Sequence, residues 1–151
     1  MIRFRPFTST DRSACLGLFD TNAPEYFDFD ERVDYERFLD NLPARYWVCT
    51  REEEVLAAFG FIMDGERGRI QWIMVGSNAQ GIGIGGLMMR RIRNEAHESG
   101  VRFIDIAASQ KSAPFFAHYG AEVRMRTEEG WGRGLDRIDM ELDLTTVSNE
   151  G

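Results

Sequence analysis

Gly81, Gly83, Gly85 and Gly86 put four glycines into six residues, between a β-patterned run ending at Val75 and a helical pattern that closes at Gly100. A strand, a glycine-rich loop and a helix N-terminus in that order build an anion site. The first-turn amides have no partner of their own, and the helix dipole adds to their positive end. Glycine keeps Cβ atoms away, so a phosphate can reach the backbone. The alternative, a plain turn, does not call for four glycines directly before a helix. The rest of the chain has to be arranged around this unit.

Before the loop, Ile2 and Phe4 alternate with Arg3 and Arg5 as a short half-buried strand. Thr8-Ser9-Thr10-Asp11 then supplies capping residues for a helix carrying Cys15, Leu18 and Phe19 on one side. A second helix is expected to open at Asp30, with Val33, Arg37, Phe38, Leu39 and Leu42 along it, and to end at Pro43. Three β runs follow over 46–50, 55–63 and 69–75, joined by turns at 51–54 and at Asp64-Gly65, which reads as an antiparallel meander. After the loop come a helix through about Ser99 with Leu87, Met88, Ile92 and Ala96 inward, a β run over 101–107 and a short helix over 112–119. Two alternating strands over 121–127 and 136–144, joined by a glycine-rich loop containing Trp131, complete the order. No internal repeat or linker interrupts it. Residues 1–144 are therefore expected to form one domain, followed by a frayed polar tail over 145–151.

Composition narrows the function classes. With 43% hydrophobic and 28% charged residues in 151, the chain can bury a core, and global disorder is excluded. No apolar run approaches the roughly 18 to 20 residues of a membrane span, and no signal-peptide core follows Met1, so a protein that stays in the cytoplasm, away from membranes, is expected. Cys15 and Cys49 have neither CxxC spacing nor clustered His beside them, so no disulfide framework and no metal site is indicated. A formal charge of −7 argues against a general nucleic-acid binder. Eight acids between Asp20 and Asp40, against Arg32 and Arg37, give that stretch a local −6. The stretch over 81–102 is basic, with Arg90, Arg91, Arg93 and Arg102 against Glu95 and Glu98. One end of the molecule suits a cation and the other an anion.

Gly81-Ile82-Gly83-Ile84-Gly85-Gly86 also matches the dinucleotide fingerprint GxGxxG, with Asp105 about 20 residues on. Five residues separate Val75 from Gly81, however, and the remainder reads as a short helix and two antiparallel strands instead of further βαβ units. A Walker-A loop fails because no Lys-Ser/Thr follows the glycines. Gln80-Gly81-Ile82-Gly83-Ile84-Gly85 fits the Q/R-x-x-G-x-G/A signature, and here the sequence resembles the GCN5-related N-acetyltransferases (GNAT family). Ala113-Pro114-Phe115-Phe116-Ala117-His118-Tyr119-Gly120 is similar to that family's later helix, and the order of elements over 1–144 is the family's order.

The resemblance implies an α/β domain with a mixed, mostly antiparallel sheet of six or seven strands and about four helices. It implies acetyl transfer from acetyl-CoA to the amine of a small molecule or peptide, and direct attack in a ternary complex is expected because no Cys sits near the assigned thioester position in the sequence. Gln80, Gly81, Ile82, Gly83, Ile84, Gly85 and Gly86 then match the pyrophosphate loop. Ile73, Met74 and Val75 match the strand on which pantetheine lies, with the Val75 amide as oxyanion donor. Ser109 stands where the family often has Asn. Phe116 stands where it often has the Tyr that protonates the departing thiolate, which leaves Tyr119 or water for that role. Gln71, where some relatives carry Glu, cannot titrate. The connection Glu25-Tyr26-Phe27-Asp28-Phe29-Asp30 interleaves acids and aromatics, so Glu25, Tyr26 and Asp28, opposite Trp131 in the last loop, are the expected walls for a cationic amine. Glu25, Asp28 and Asp30 are the acidic candidates for a base. A non-catalytic acyl-CoA-binding module stays open as the alternative, and a homodimer is allowed.

Overall fold

The computed structural model describes residues 1–42 and 45–146. The helix-ending role expected of Pro43, and the tail from residue 147 on, lie outside the described residues. Seven strands form one sheet in the order β1-β2-β3-β4-β5-β7-β6. They are β1 (Ile2–Pro6), β2 (Arg45–Arg51), β3 (Glu54–Asp64), β4 (Arg67–Val75), β5 (Phe103–Ala108), β6 (Glu122–Gly132) and β7 (Leu135–Asp143). Every neighbouring pair is antiparallel except β4 with β5. The helices are α1 (Arg12–Asn22), α2 (Arg32–Asp40), α3 (Ile84–Glu98) and α4 (Ala113–His118). No described helix is long and apolar enough to cross a membrane.

Each face of the sheet buries one apolar cluster. Met88, Met89 and Ile92 of α3 and Phe116 of α4 pack on Leu56, Phe59, Ile70, Ile104 and Ile138. On the other face, Cys15, Leu18 and Phe19 of α1 and Tyr35 and Leu39 of α2 pack on Val48, Ala58 and Met74. β3 is covered on both sides, which is why residues 56–61 are buried without alternation. On α2 the structure corrects the expected inward set. Leu39 is buried as expected, but Val33 is 51% exposed, and the other buried residue is Tyr35, whose hydroxyl has a partner inside. A 3-10 turn, Phe29–Glu31, precedes α2 where the helix itself was expected to begin.

The feature that shapes the site is a bulge in β4. Ala58 pairs with Met74 and Gly60 with Gln71, so Phe59 faces both Trp72 and Ile73, and Trp72 takes a φ of 48°. β4 pairs with β5 only through Arg67, Gly68 and Arg69, and beyond Arg69 the two parallel strands part. Hydrogen bonds hold the bulge from inside: Tyr35 Oη lies 2.7 Å from Tyr46 Oη, which donates to the Trp72 carbonyl at 2.7 Å. A hydroxyl has one proton, so Tyr35 must be the donor to Tyr46. The Trp72 ring stacks on Phe27 at 5.8 Å and lies 4.9 Å from Tyr35, tying the bulge to α2.

The last hairpin also departs from expectation. β6 runs on to Gly132 with an irregularity between Thr127 and Gly132, so Trp131 belongs to the strand, and the turn is Arg133-Gly134. Tyr46→Phe leaves the Trp72 carbonyl and the Tyr35 hydroxyl without partners in the core. We expect a loss of about 1–3 kcal/mol in urea unfolding, and unchanged stability would contradict the pinning role given to this hydroxyl.

Candidate functional site

Where β4 and β5 part, they leave a cleft of about 580 Å³ that runs between α3 and α4 on one side and the α1–α2 connection on the other. Of the expected site residues, Ile73, Met74, Val75, Gln80, Gly81, Gly83, Ile84, Gly85, Gly86, Ser109, Phe116, Tyr119, Tyr26 and Trp131 line it. Ile82, Glu25 and Asp28 are not in its wall.

At one end stands the N-terminus of α3. Gly83 is its N-cap residue with a φ of 85°, Gly81 has a φ of 86°, and no side chain caps the helix. Leu87 is the first residue of the helix whose amide bonds back, to the Gly83 carbonyl at 3.2 Å. The donors before it are left for a ligand or for water. The four glycines divide into two pairs with different physical reasons. Gly81 and Gly83 need left-handed backbone, and a Cβ on either would meet nothing within 4 Å. Gly85 and Gly86 lie inside α3, where a Cβ would meet the Phe115 ring at 2.6 Å or the Tyr119 hydroxyl at 2.8 Å. Those two are glycine because α4's aromatic rings lie on the first turn of α3. The Tyr119 hydroxyl thus stands at this anion end of the cleft.

The middle of the cleft is the free edge of β4. Gly76 donates to the Leu56 carbonyl at 2.8 Å, so the alternation of an antiparallel strand turns the Met74 amide toward β3 and the Val75 amide toward the gap. Met74 therefore offers its backbone to β3 and its side chain to the α1–α2 core, while Ile73 and Val75 pack partly into the other core. Asn22, buried at the end of α1, donates to the Val75 carbonyl at 2.9 Å and to the Leu18 carbonyl at 2.8 Å. Nothing in the sequence pattern marked Asn22, because a polar residue at a helix end ordinarily reads as a cap. Ser109 ends β5, and its Oγ accepts the Lys111 and Ser112 amides at 3.1 and 3.3 Å, shaping the entry to α4. Phe116 is 3% exposed and has no proton to give. Burial raises the Cys15 thiol to about 12 and also pushes Cys49 up, so neither is a thiolate near neutrality.

At the far end, the α1–α2 connection meets the β6–β7 hairpin. A Cβ on Gly132 would collide with the Asp28 carboxylate. Asp28 is occupied as a cap: its Oδ1 accepts the Asp30 amide at 2.8 Å, and Glu31 Oε2 accepts the Asp28 amide at 2.9 Å. The acid in the cleft wall is Glu31, whose carboxyl burial raises from 4.5 to about 7, against the opposing pull of the Asp28 amide. Its signal in the sequence was the spacing Asp28-Phe29-Asp30-Glu31, an N-cap acid with Glu three residues on. Three of the eight acids of this stretch are ion-paired, Asp20 with Arg32 at 2.8 Å, Asp40 with Arg12 at 2.7 Å and Glu36 with both arginines, and Asp28 and Glu31 are engaged in the capping turn. The cationic-amine expectation therefore loses its basis. Glu25 and Asp30 are exposed and outside the wall, and the charged groups lining the cleft are Glu31, Arg69, Lys111 and Arg137. Trp131 remains, its Nε1 donating to the Ala108 carbonyl at 2.8 Å and its ring beneath the Arg137 guanidinium at 5.0 Å. Among the described residues no group of three or more His, Cys, Asp or Glu could hold a metal ion.

A family model for the acetyltransferase (GNAT) family matches residues 15–121. None of the curated proteins matches the sequence significantly. Among solved structures, the ribosomal-protein-S18-alanine N-acetyltransferase from Escherichia coli superposes with a TM-score of 0.79 at 15% identity, covering 100% of this chain and 99% of that one. Ard1 from Thermoplasma volcanium gives 0.78 at 15% identity, over 96% and 99%. An aminoglycoside 6'-N-acetyltransferase complexed with coenzyme A gives 0.76 at 12% identity, over 97% and 99%. At these identities the likeness is one of fold.

The raised Glu31 carboxyl makes stability depend on pH. Between about pH 4.5 and 7 the folded protein keeps a proton that the unfolded chain has lost, so this residue's contribution falls as pH rises across that window. Glu31→Gln removes the titration while its amide oxygen can still accept the Asp28 amide. The variant should gain on the wild type in urea midpoint between about pH 5 and pH 8, whereas a constant difference would contradict the shift.

Proposed function

Since the chain belongs to the acetyltransferase (GNAT) family, we propose that it is an N-acetyltransferase that takes acetyl-CoA as donor, with the acetyl group passing directly to an amine held in the far end of the cleft. The observation that carries this reading is the open edge of β4 beside a helix N-terminus without a side-chain cap, a strand-shaped slot leading to a phosphate-shaped end. Coenzyme A in the structure of the aminoglycoside 6'-N-acetyltransferase supports the choice of donor.

In this proposal Gln80, Gly81 and Gly83 and the free amides of Ile84, Gly85 and Gly86 hold the pyrophosphate. Pantetheine adds to the free edge of β4, with the Val75 amide donating to the thioester carbonyl and stabilising the oxyanion that develops there. The amine lone pair attacks the carbonyl carbon, a C–N bond forms, and the C–S bond breaks to release the thiolate. Glu31 takes the ammonium proton, directly or through a water, and a carboxyl poised near 7 suits that task. Water delivers a proton to the thiolate, because Phe116 has none to give and the Tyr119 hydroxyl stands beside Gly86 at the phosphate end. Direct transfer is favoured over an acyl-enzyme because both cysteines are buried thiols. A non-catalytic binding module, the alternative suggested by Phe116 and Gln71 where proton-transfer groups are common, is disfavoured by Glu31, a proton acceptor in the cleft wall.

Two measurements test the reading. Gly83→Val forces a β-branched residue into left-handed backbone at the anion end, and calorimetric titration should show coenzyme A binding at least tenfold weaker in a folded variant. Unchanged affinity would remove the loop from the account. With an amine acceptor, the wild-type kcat/KM should rise with pH around 7, and Glu31→Gln should lose that limb along with at least tenfold in rate. A variant that keeps both would exclude Glu31 as the base.

A further inference from the structure

The far end of the cleft has an electrostatic arrangement that an ordinary amine does not use. On β4, Arg69 and Gln71 flank the buried Ile70, and on β7 Arg137 precedes the buried Ile138. Ile70 and Ile138 belong to the core beneath α3 and α4, so the two arginines and Gln71 leave the sheet on the opposite face, the side of the α1–α2 connection. They are thereby separated from the phosphate end at α3. Neither guanidinium is used up. Arg137 gives its Nε to Asp139 at 3.1 Å and rests on Trp131, which leaves its terminal NH2 groups without a protein acceptor among the described residues. Arg69 has no ion pair among the described residues, because Asp105, its partner in register, is held by Arg67 at 2.7 and 3.1 Å. The unpaired Arg69 guanidinium and the terminal NH2 groups that Arg137 keeps beyond its ion pair with Asp139, lining one cleft on the same face, call for an anion.

Beside them are two acceptors that call for a cation or an N–H donor. Gln71 Oε1 is buried with no hydrogen-bond partner. An orphaned acceptor in a cleft wall costs free energy until a ligand supplies a donor. Glu31 uses Oε2 for the Asp28 amide, and no protein donor takes Oε1 among the described residues. Trp72 and Trp131 line the same cleft, the Trp131 ring beneath the Arg137 guanidinium.

We propose that the acceptor is a free amino acid: its carboxylate is bound by Arg69 and Arg137, its amine is presented to Glu31 and Gln71 Oε1, and an apolar side chain lies against the tryptophans. This deepens the acetyltransferase reading and rests on it. The same groups disfavour a simple cationic amine, which would meet two guanidiniums, one of them unpaired, and a peptide N-terminus, which has an amide where the carboxylate should be.

The test compares phenylalanine, leucine and methionine with their amides and with the amines that lack the carboxylate, using thiol release from acetyl-CoA. The free acid of at least one set should exceed its amide and its amine at least tenfold in kcat/KM. Arg137→Gln and Arg69→Gln should each lower the free acid's kcat/KM at least tenfold more than the amide's, with the coenzyme A dissociation constant within twofold of wild type. Amides or plain amines acetylated as well as the acids would overturn the proposal. So would arginine variants that weaken coenzyme A instead, or a wild-type protein that binds coenzyme A yet neither acetylates nor binds any of the three acids in calorimetry. A wild-type protein that does not bind coenzyme A would defeat the acetyltransferase reading first, and this one with it.

Discussion

One residue too many in β4, opposite Phe59, governs the rest of the molecule. An antiparallel pair absorbs the extra residue as a bulge, and the bulged strand turns away from its far neighbour. Trp72 sits at that point in left-handed backbone, and its carbonyl is held by Tyr46, which is in turn held by Tyr35. The result is a sheet that is continuous through Arg69 and open beyond it. In a parallel pair an opening of this kind exposes backbone donors and acceptors along both edges, and such groups need partners. Asn22 satisfies the Val75 carbonyl and Trp131 the Ala108 carbonyl, while the alternation leaves the Val75 amide facing the gap. The structure thus closes the slot's edges selectively and keeps open what a ligand's own amide and carbonyl groups can use.

Charge is distributed along this slot in the same selective way. The anion end relies on backbone amides and glycine conformation, so it needs no arginine of its own. The far end carries side-chain charge, with Arg69 and Arg137 on the sheet and Glu31 on the connection above it. Although the chain carries a net −7, Asp20 and Asp40 are spent on ion pairs and Asp28 on a cap, and Glu31 is the acid that lines the cleft among the described residues. Net charge over a stretch of sequence therefore says little about the sign of the pocket it borders; the partners of each carboxylate decide it.

Much of this was legible from local pattern. The β–glycine–α unit, the meander and the two-helix opening follow from periodicity and turn residues, and the Gln80 to Gly86 motif with the Phe115-Phe116 helix pointed to the family that the family model then matched. What was not legible depended on groups distant in sequence. Tyr35 reads as a half-polar helix residue until Tyr46 is placed beside it. Gly85 and Gly86 read as phosphate glycines until Phe115 and Tyr119 lie across them. Glu31 was hidden because every acid in the connection looked equally solvated, and only the burial of its carboxyl in the folded chain separates it from Glu25. Gln71 was set aside because it cannot titrate, yet it lines the cleft with a buried oxygen that has no partner.

The central claim is that coenzyme A completes the sheet by pairing with the free edge of β4. Amide hydrogen exchange followed residue by residue, with and without coenzyme A, addresses it most directly. The account predicts that the amide of Val75 and those of Gly81 to Gly86 gain protection on binding, while amides of β2 and β3, already paired, change little. Binding that leaves Val75 and the loop unprotected, or that protects another surface, would contradict it.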